Sequence, residues 1–390
     1  MDREALPHWA RGTRTRAVGV LASGLGLTVT LAAAAAPPAL HTSVTNFPGD
    51  LLSVSTVSPS DAWATGEFSP VPNVVALLHW NGSTWAQMTV PARKFSALAS
   101  VSADSANDAW AVGRTPGSGG AIKDLALHWN GTAWAHVRVP SPGKAPVVDN
   151  LVSVSADTPS DAWAVGFFST IGGTSTSALA LHWTGTAWSQ VAIPNASQVT
   201  LNAVTAKSPT DAWAVGYKFP SGGVVILHWN GTAWTQAATP AILASLSAVT
   251  ELSPTDVWTV GDGGEPDLSV VLHWDGTSWT RQPSPSPGGT ATADISHLNG
   301  VSALSATDAW AVGFYGHDTA QFVVSKPLVL HWNGTSWTQT ASPFFGTASG
   351  LESVQALSPA NAWAVGAIFR RGGLDSTLVL HWNGTAWTRS

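Results

Sequence analysis

The chain has no cysteine in its 390 residues. That excludes a disulfide framework, thiolate metal sites, a cysteine nucleophile and a Cys-anchored lipid. Charge is also scarce, at 10% of residues, and the formal net charge is −6. Without its basic N-terminal segment the balance is about −8, which speaks against nucleic acid as a partner. Tyrosine occurs twice, as Tyr217 and Tyr315. Beyond residue 36 no apolar run approaches the length a membrane-spanning helix needs. What remains is 44% hydrophobic and must bury apolar surface from end to end, so disorder is excluded.

The N-terminal segment reads as an address. Arg3, Arg11, Arg14 and Arg16 precede an uncharged stretch, Ala17–Ala36, that ends in a run of alanines and is followed by Pro37-Pro38. A basic region, an apolar region and a small-residue zone make residues 1–36 a signal peptide, with cleavage expected between Ala33 and Ala36. The alternative is an uncleaved N-terminal membrane anchor, which would be the chain's one membrane contact. Both readings export the rest, to the extracellular space or the cell surface.

Tryptophan supplies the dominant signal. There are 22, and 21 of them belong to a unit repeated seven times. Each unit reads L-x-S-V-S-A-x-S-P-x-D-A-W-A-V-G, a variable stretch, then L-x-L-H-W-N-G-T-x-W-T-Q. Trp63, Trp110, Trp163, Trp213, Trp258, Trp310 and Trp363 mark the first motif. His-Trp pairs beginning with His79-Trp80 and including His228-Trp229 mark the second. A third Trp follows five residues later, as in Trp85 and Trp234. The repeats span about 51–90, 98–139, 151–193, 201–238, 246–282, 299–341 and 351–390.

Within a unit, period-two alternation predicts four strands: a (L-x-S-V-S), b (A-W-A-V-G), c (L-x-L-H-W) and d (x-W-T-Q). Asn-Gly between the last two Trp predicts a two-residue type I′ hairpin, with Trp80 opposite Ser83 and Leu78 opposite Trp85. Leu78, Trp80 and Trp85 then share one face and His79 takes the other. Seven units of four antiparallel strands predict an all-β, seven-bladed β-propeller over residues 41–390. An open solenoid needs atypical polar caps, and no such repeat stands at either end of the array. His41–Pro48 aligns with the end of a d strand and is expected to latch the ring.

The motif [DN]-[AV]-W-[AT]-[VT]-G followed by L-H-W-[NDT]-G-[ST]-x-W resembles secreted bacterial β-propeller repeat proteins. It is more distantly similar to the photosystem II assembly-factor and BNR/Asp-box propellers, at Asp61–Gly66 and Asn81–Trp85 here. The Ser-x-Asp of the Asp box is missing before the turn, which sets the chain apart from the sialidase-like group. The copper chemistry of the galactose oxidases requires a Cys-linked Tyr and is excluded. The resemblance specifies a fold and leaves the activity open.

Residues with chemical potential mostly have a structural reading. The seven equivalent His lie on different blades and cannot converge on one metal ion. Each is expected to pair with a neighbouring polar group, such as the Asp of S-P-x-D. Asp61, Trp63, His79, Trp80, Trp85, Asp211, Trp213, His228, Trp229 and Trp234 are accordingly assigned to structure. Asn81, Asn130, Asn230, Asn333 and Asn383 match the N-glycosylation acceptor, as does Asn195, but turn geometry explains the first five. Asp262–Asp267 is an oxygen-rich candidate for Ca²⁺ without a recognised loop pattern. No catalytic constellation, metal site or cofactor is assigned.

Strand order places the b–c and d–a connections on one face and the repetitive S-P-x-D and N-G-T turns on the other. The first face carries the unrepeated residues. Its ligand-binding candidates are Phe68, Arg93, Arg114, Phe167, Phe168, Tyr217, Lys218, Phe219, Phe314, Tyr315, His317, Asp318, Phe369, Arg370 and Arg371. Aromatics interleaved with Arg form recognition surfaces, although aromatics after the b-strand Gly also cap blade tips. The expected role is a monomeric, non-catalytic module for a glycan, cell-wall polymer or protein. The alternative is a polysaccharide hydrolase or lyase, for which Asp262, Asp294 and Asp318 are the loop acids to examine.

Overall fold

The computed structural model describes residues 47–68, 75–142, 147–170, 176–263, 268–289, 291, 293–318, 323–346, 348–370 and 375–390. The signal segment, His41–Asn46, Arg371 and residues 264–267 of the Ca²⁺ candidate lie outside that set. Among the described residues there are 28 strands, one 3₁₀ turn at Ser118–Gly120 and no α-helix. The first repeat supplies β1–β4, at Asp50–Ser58, Asp61–Glu67, Val75–Trp80 and Trp85–Gln87. β5–β8 are Ala97–Ser105, Asp108–Pro116, Ile122–Trp129 and Trp134–Val137, and β9–β12 are Val147–Thr158, Asp161–Thr170, Thr176–Trp183 and Trp188–Gln190. β13–β16 are Val199–Ser208, Asp211–Lys218, Gly223–Trp229 and Trp234–Gln236. β17–β20 are Ser245–Ser253, Asp256–Gly263, Leu268–Trp274 and Trp279–Arg281. β21–β24 are Asp294–Ser305, Asp308–Asp318, Val323–Trp332 and Trp337–Gln339. β25–β28 are Ala348–Ser358, Asn361–Phe369, Ser376–Trp382 and Trp387–Arg389.

Each repeat pairs its strands antiparallel in chain order, and five repeats form separate four-stranded sheets. The second and third depart from that expectation. They share an eight-stranded sheet because β7 and β9 meet in one parallel pair, Ile122 with Val148.

Packing between repeats explains the motif. Trp63 of β2 is fully buried and lies against Trp129 and Trp134 of the next repeat, at centroid distances of 5.1 Å to both. The same tilted and edge-on arrangement recurs around the chain and ends with Trp363 on Trp80 and Trp85 of the first repeat. The second strand is thus covered on both sides, and β2 is buried from Ala62 through Gly66 without alternation. The S-V-S serines bind adjacent first strands: Ser53 Oγ accepts from Val101 N at 3.2 Å, and Ser353 Oγ accepts from Val54 N at 3.3 Å. β1 packs against both β5 and β25. The ends of the repeat array therefore meet, as the latch also requires. Thr377 N donates to Phe47 O and Gly49 N to Asp375 O, both at 2.9 Å. That pairing runs beside β27, in line with β28.

The motif glycine follows from a bulge. Register shifts between Leu51 and Ser53, and at the equivalent place in every repeat, leave one extra residue on the first strand. The carbonyl before the bulge then approaches the second strand so closely that a Cβ on Gly66 would strike Asp50 O.

The N-G-T turn differs from the expected hairpin. Trp80 pairs with Trp85 and Leu78 with Gln87, so four residues form the loop. Gly82 has a φ of 91°, whereas Asn81 stays outside the left-handed region. Its Oδ1 accepts from Ser83 N, Thr84 N and Ser83 Oγ, at 3.0, 3.0 and 2.8 Å. A local side-chain cap replaces the positive φ at the first position. The register moves by two residues, so Leu78, Trp80 and Trp85 still share a face.

Each repeat's histidine finds its expected partner inside its own sheet. His79 Nε2 lies 2.9 Å from Asp61 Oδ1, His228 lies 2.8 Å from Asp211, and His381 lies 3.1 Å from Asn361 Oδ1. The ring also stacks on the second-strand Trp, at 4.2 Å for His79 on Trp63. Trp80 Nε1 donates to Pro59 O at 3.1 Å, and this bond recurs at every third-strand Trp.

Candidate functional site

Concave features of the described residues include a central cavity and a groove on one repeat. The first strands enclose a central cavity of about 370 Å³, lined from Leu52 through to Gln355 by all seven repeats. The bulge residues enter it: Leu52, Ala99 and Val152 on one side, Asn202, Ser247, Asn299 and Glu352 on the other. Asn299 Nδ2 donates to Leu351 O and to Glu352 Oε2, both at 3.0 Å, and Asn202 Nδ2 donates to Leu246 O at 2.8 Å. These carboxamides brace the neighbouring bulge.

The second feature is a groove of about 350 Å³ on the sixth repeat. β22 and β23 form a hairpin of 11 and 10 residues that places Tyr315 opposite Lys326. The connection after β24 passes beside it. Phe344 is 44% exposed there, with Lys326 Nζ 5.9 Å from its ring centre. Arg389 covers the adjoining Phe345 at 4.9 Å, and burial, then Arg370, lowers its pKa.

The exposed large apolar side chains of the described residues are Phe95, Phe219, Leu243, Val324 and Phe344. Four belong to b–c or d–a connections and Val324 is the second residue of β23, beside such a connection, so they occupy a single face. Phe219 and Leu243 flank one tip, where Gly223 bridges Leu243 and Ala244 N donates to Gly222 O at 2.9 Å.

The sequence candidates divide accordingly. Arg93, Lys218, Phe219 and His317 are exposed. Tyr217 and Tyr315 are half-buried, and burial raises the Tyr217 pKa. Arg114 pairs with Glu67 at 3.1 Å. His317 Nδ1 lies 2.8 Å from Asp294 Oδ1, so that loop acid is already engaged. Others serve the interior: Phe68 and Phe167 are buried, Phe68 stacks on Phe47 at 5.5 Å, and Phe168 packs against a core cluster. Phe314 lies on His297 at 4.9 Å. Phe369 and Arg370 are half-buried, and Arg370 N donates to Asp375 Oδ1 at 3.2 Å. Asp318 closes β22 opposite Val323, its side chain lying outside the described set, and Asp262 is buried.

Sequence reasoning missed Lys326 and Leu243, and it missed a group of buried acids. Glu251 lies in the cavity wall, where burial and the adjacent Asp211 push its pKa to about 8. Glu352 reaches about 8 through burial and Asp50, and Asp50 about 7 through burial, Asp375 and Glu67. Asp124 is held well above the usual range by burial and Asp149, whose Oδ2 accepts from Ser141 Oγ at 2.6 Å. Glu251 replaces the small residue that ends the L-x-S-V-S-A motif, and that departure was the available signal, whereas Glu352 and Asp50 stand at variable positions at and before the bulge.

No family model and no curated protein matches the chain. Solved structures do. YCF48 bound to a D1 peptide superposes with a TM-score of 0.51 at 16% identity, over 87% of this chain and 99% of that one. YCF48 from Cyanidioschyzon merolae gives 0.53 at 14% identity, over 86% and 96%. An ulvan lyase, of a polysaccharide lyase family, bound to -[GlcA(1-4)Rha3S]- gives 0.56 at 9% identity, over 88% and 96%. The chain is a distant relative in fold of these propeller structures. At these identities the likeness concerns the fold.

Proposed function

We propose that the chain is an exported binding module, with residues 1–36 a cleaved signal and residues 41–390 a seven-bladed propeller. Its b–c and d–a face holds a glycan, cell-wall polymer or protein. The observation that carries this reading is the restriction of exposed large apolar side chains to that one face. A face with Phe95, Phe219, Leu243 and Phe344 exposed beside Arg93, Lys218 and Lys326 has the composition of a contact surface. The fold relatives support it from outside, one structure holding a peptide and another an oligosaccharide.

The test is retention of the purified protein on cell-wall preparations, a glycan array and protein extracts. Phe95→Ala/Phe219→Ala/Phe344→Ala is expected to abolish retention without unfolding. Ser83→Ala/Thr132→Ala/Thr232→Ala, on the opposite face, is expected to leave it unchanged. The reverse pattern would overturn the reading. The enzymatic alternative rests on Asp50 and Glu352, carboxyls that burial pushes up to about 7 and about 8, with Asp50 adding to the shift of Glu352. Polysaccharide chain cleavage that disappears in Glu352→Gln would favour it.

A further inference from the structure

The groove on the sixth repeat has a mixed aromatic and polar lining. Its walls are Tyr315, Lys326, Gln339, Thr340, Ser342 and Phe344. They combine two aromatic rings, three hydroxyls, one carboxamide and one ammonium, and among the described residues no carboxylate lines the space. Lys326 is the one charged side chain of the described lining, so the groove carries a positive charge. Its volume of about 350 Å³ lies within the range of small-ligand sites.

The backbone here is poorly suited to receiving a peptide strand. Thr340 N donates to Val329 O at 2.8 Å, which turns Val329, and by alternation Pro327, toward the outer edge of β23. Pro327 has no N–H to offer, and its carbonyl lies 3.5 Å from Ser342 Oγ. Ser325, the next outward position, is buried. In the third and seventh repeats the corresponding edge is occupied by chain, as Ala178 N to Ala196 O and Thr377 N to Phe47 O show. Recognition in the sixth repeat therefore falls to side chains.

We propose that this groove is a subsite for an acidic saccharide, the apolar face of one sugar ring lying on Phe344 and its carboxylate or sulfate meeting Lys326. Gln339, Thr340 and Ser342 supply the donors and acceptors a polyhydroxylated ring requires. Lys326, already placed over the aromatic ring, supplies the charge complement. The assignment rests on the binding-module reading and narrows it to one ligand class and one place.

The experiment is titration calorimetry of the intact protein with tetragalacturonate, a carrageenan tetrasaccharide, maltotetraose and hexaglutamate. One or both acidic saccharides are expected to bind, and neutral maltotetraose about tenfold or more weakly. Preference for the first or the second distinguishes carboxylate from sulfate. Phe344→Ala is expected to abolish saccharide binding. Lys326→Gln is expected to remove the preference for the acidic sugars while leaving the weak maltotetraose affinity unchanged. Binding of hexaglutamate in place of the sugars, or failure of both acidic sugars to bind, overturns the ligand class. Saccharide binding unaffected by both variants but lost in Phe219→Ala/Leu243→Ala overturns the groove while leaving the binding-module reading intact.

Discussion

Replacing Glu251 with Gln separates what a buried proton does for this ring from what packing does. Glu251 is 1% exposed in the cavity wall and faces Asp211, Asp157 and Lys207, with Asp211 itself bound to His228. Burial is the largest cause of its elevated pKa of about 8, Asp211 adds to it, and Lys207 opposes it. An unfolded chain ionises this carboxyl near its ordinary value of 4.5, whereas the folded one retains the proton to about 8. The stability this group supplies is complete below pH 4.5 and disappears as pH rises through the interval to 8. Each unit of separation corresponds to about 1.4 kcal/mol, so the full effect has a ceiling of about 5 kcal/mol. Water entering the cavity reduces it, to roughly 2–4 kcal/mol.

Gln keeps the shape and cannot ionise, so Glu251→Gln is expected to lack this part of the pH dependence. Thermal unfolding of both proteins from pH 4 to pH 9 is the assay. The difference in Tm should grow in favour of the variant between about pH 5 and 8 and then level off. With roughly 1–2 °C per kcal/mol in a chain of this size, several degrees should separate them at pH 9. Parallel curves would refute the reasoning, because they would mean that Glu251 titrates alike in both states. The contributions of Asp50, Asp124 and Glu352 cancel in the comparison.

His228→Ala should cost about 1.5–3 kcal/mol, the worth of a hydrogen bond to a charged partner, and leave ligand retention intact. An unchanged Tm with lost retention would contradict its structural assignment. Trp63→Ala removes a fully buried ring held between two indoles of the next repeat and should cost about 3–5 kcal/mol by chemical denaturation. Gly66→Ala should also lower Tm, because its methyl group meets the Asp50 carbonyl on the bulged strand. Phe95→Ala, at a side chain 61% exposed, should stay within about 0.5 kcal/mol of the parent while weakening retention.

Most of the repeat's local order could be read before any coordinates, the N-G-T turn and the first-strand bulge excepted. Period-two alternation specified four strands per unit, the Trp spacing specified a repeating core, and His opposite an Asp-bearing turn specified the pair seen at His79 and Asp61. These features depend on residues within about 25 positions of one another, and seven copies repeat the message. The latch at Phe47–Gly49 was legible for the same reason, since it continues a pattern already displayed elsewhere. Asn81 serves as a cap instead of a left-handed turn residue because its carboxamide reaches the backbone of Ser83 and Thr84, a local choice the Asn-Gly motif leaves open. Tertiary structure decided the rest. Ile122 meets Val148 because two repeats approach edge to edge, and neither residue announces it. Phe68 and Phe167 look like the exposed Phe219 in sequence, yet whether a neighbouring loop covers each ring depends on chain many residues away. The groove of Tyr315, Lys326 and Phe344 likewise exists because the segment after β24 passes beside the paired β22 and β23. Pattern sets the sheets, while the surface is made by variable loops whose proximity no periodicity encodes.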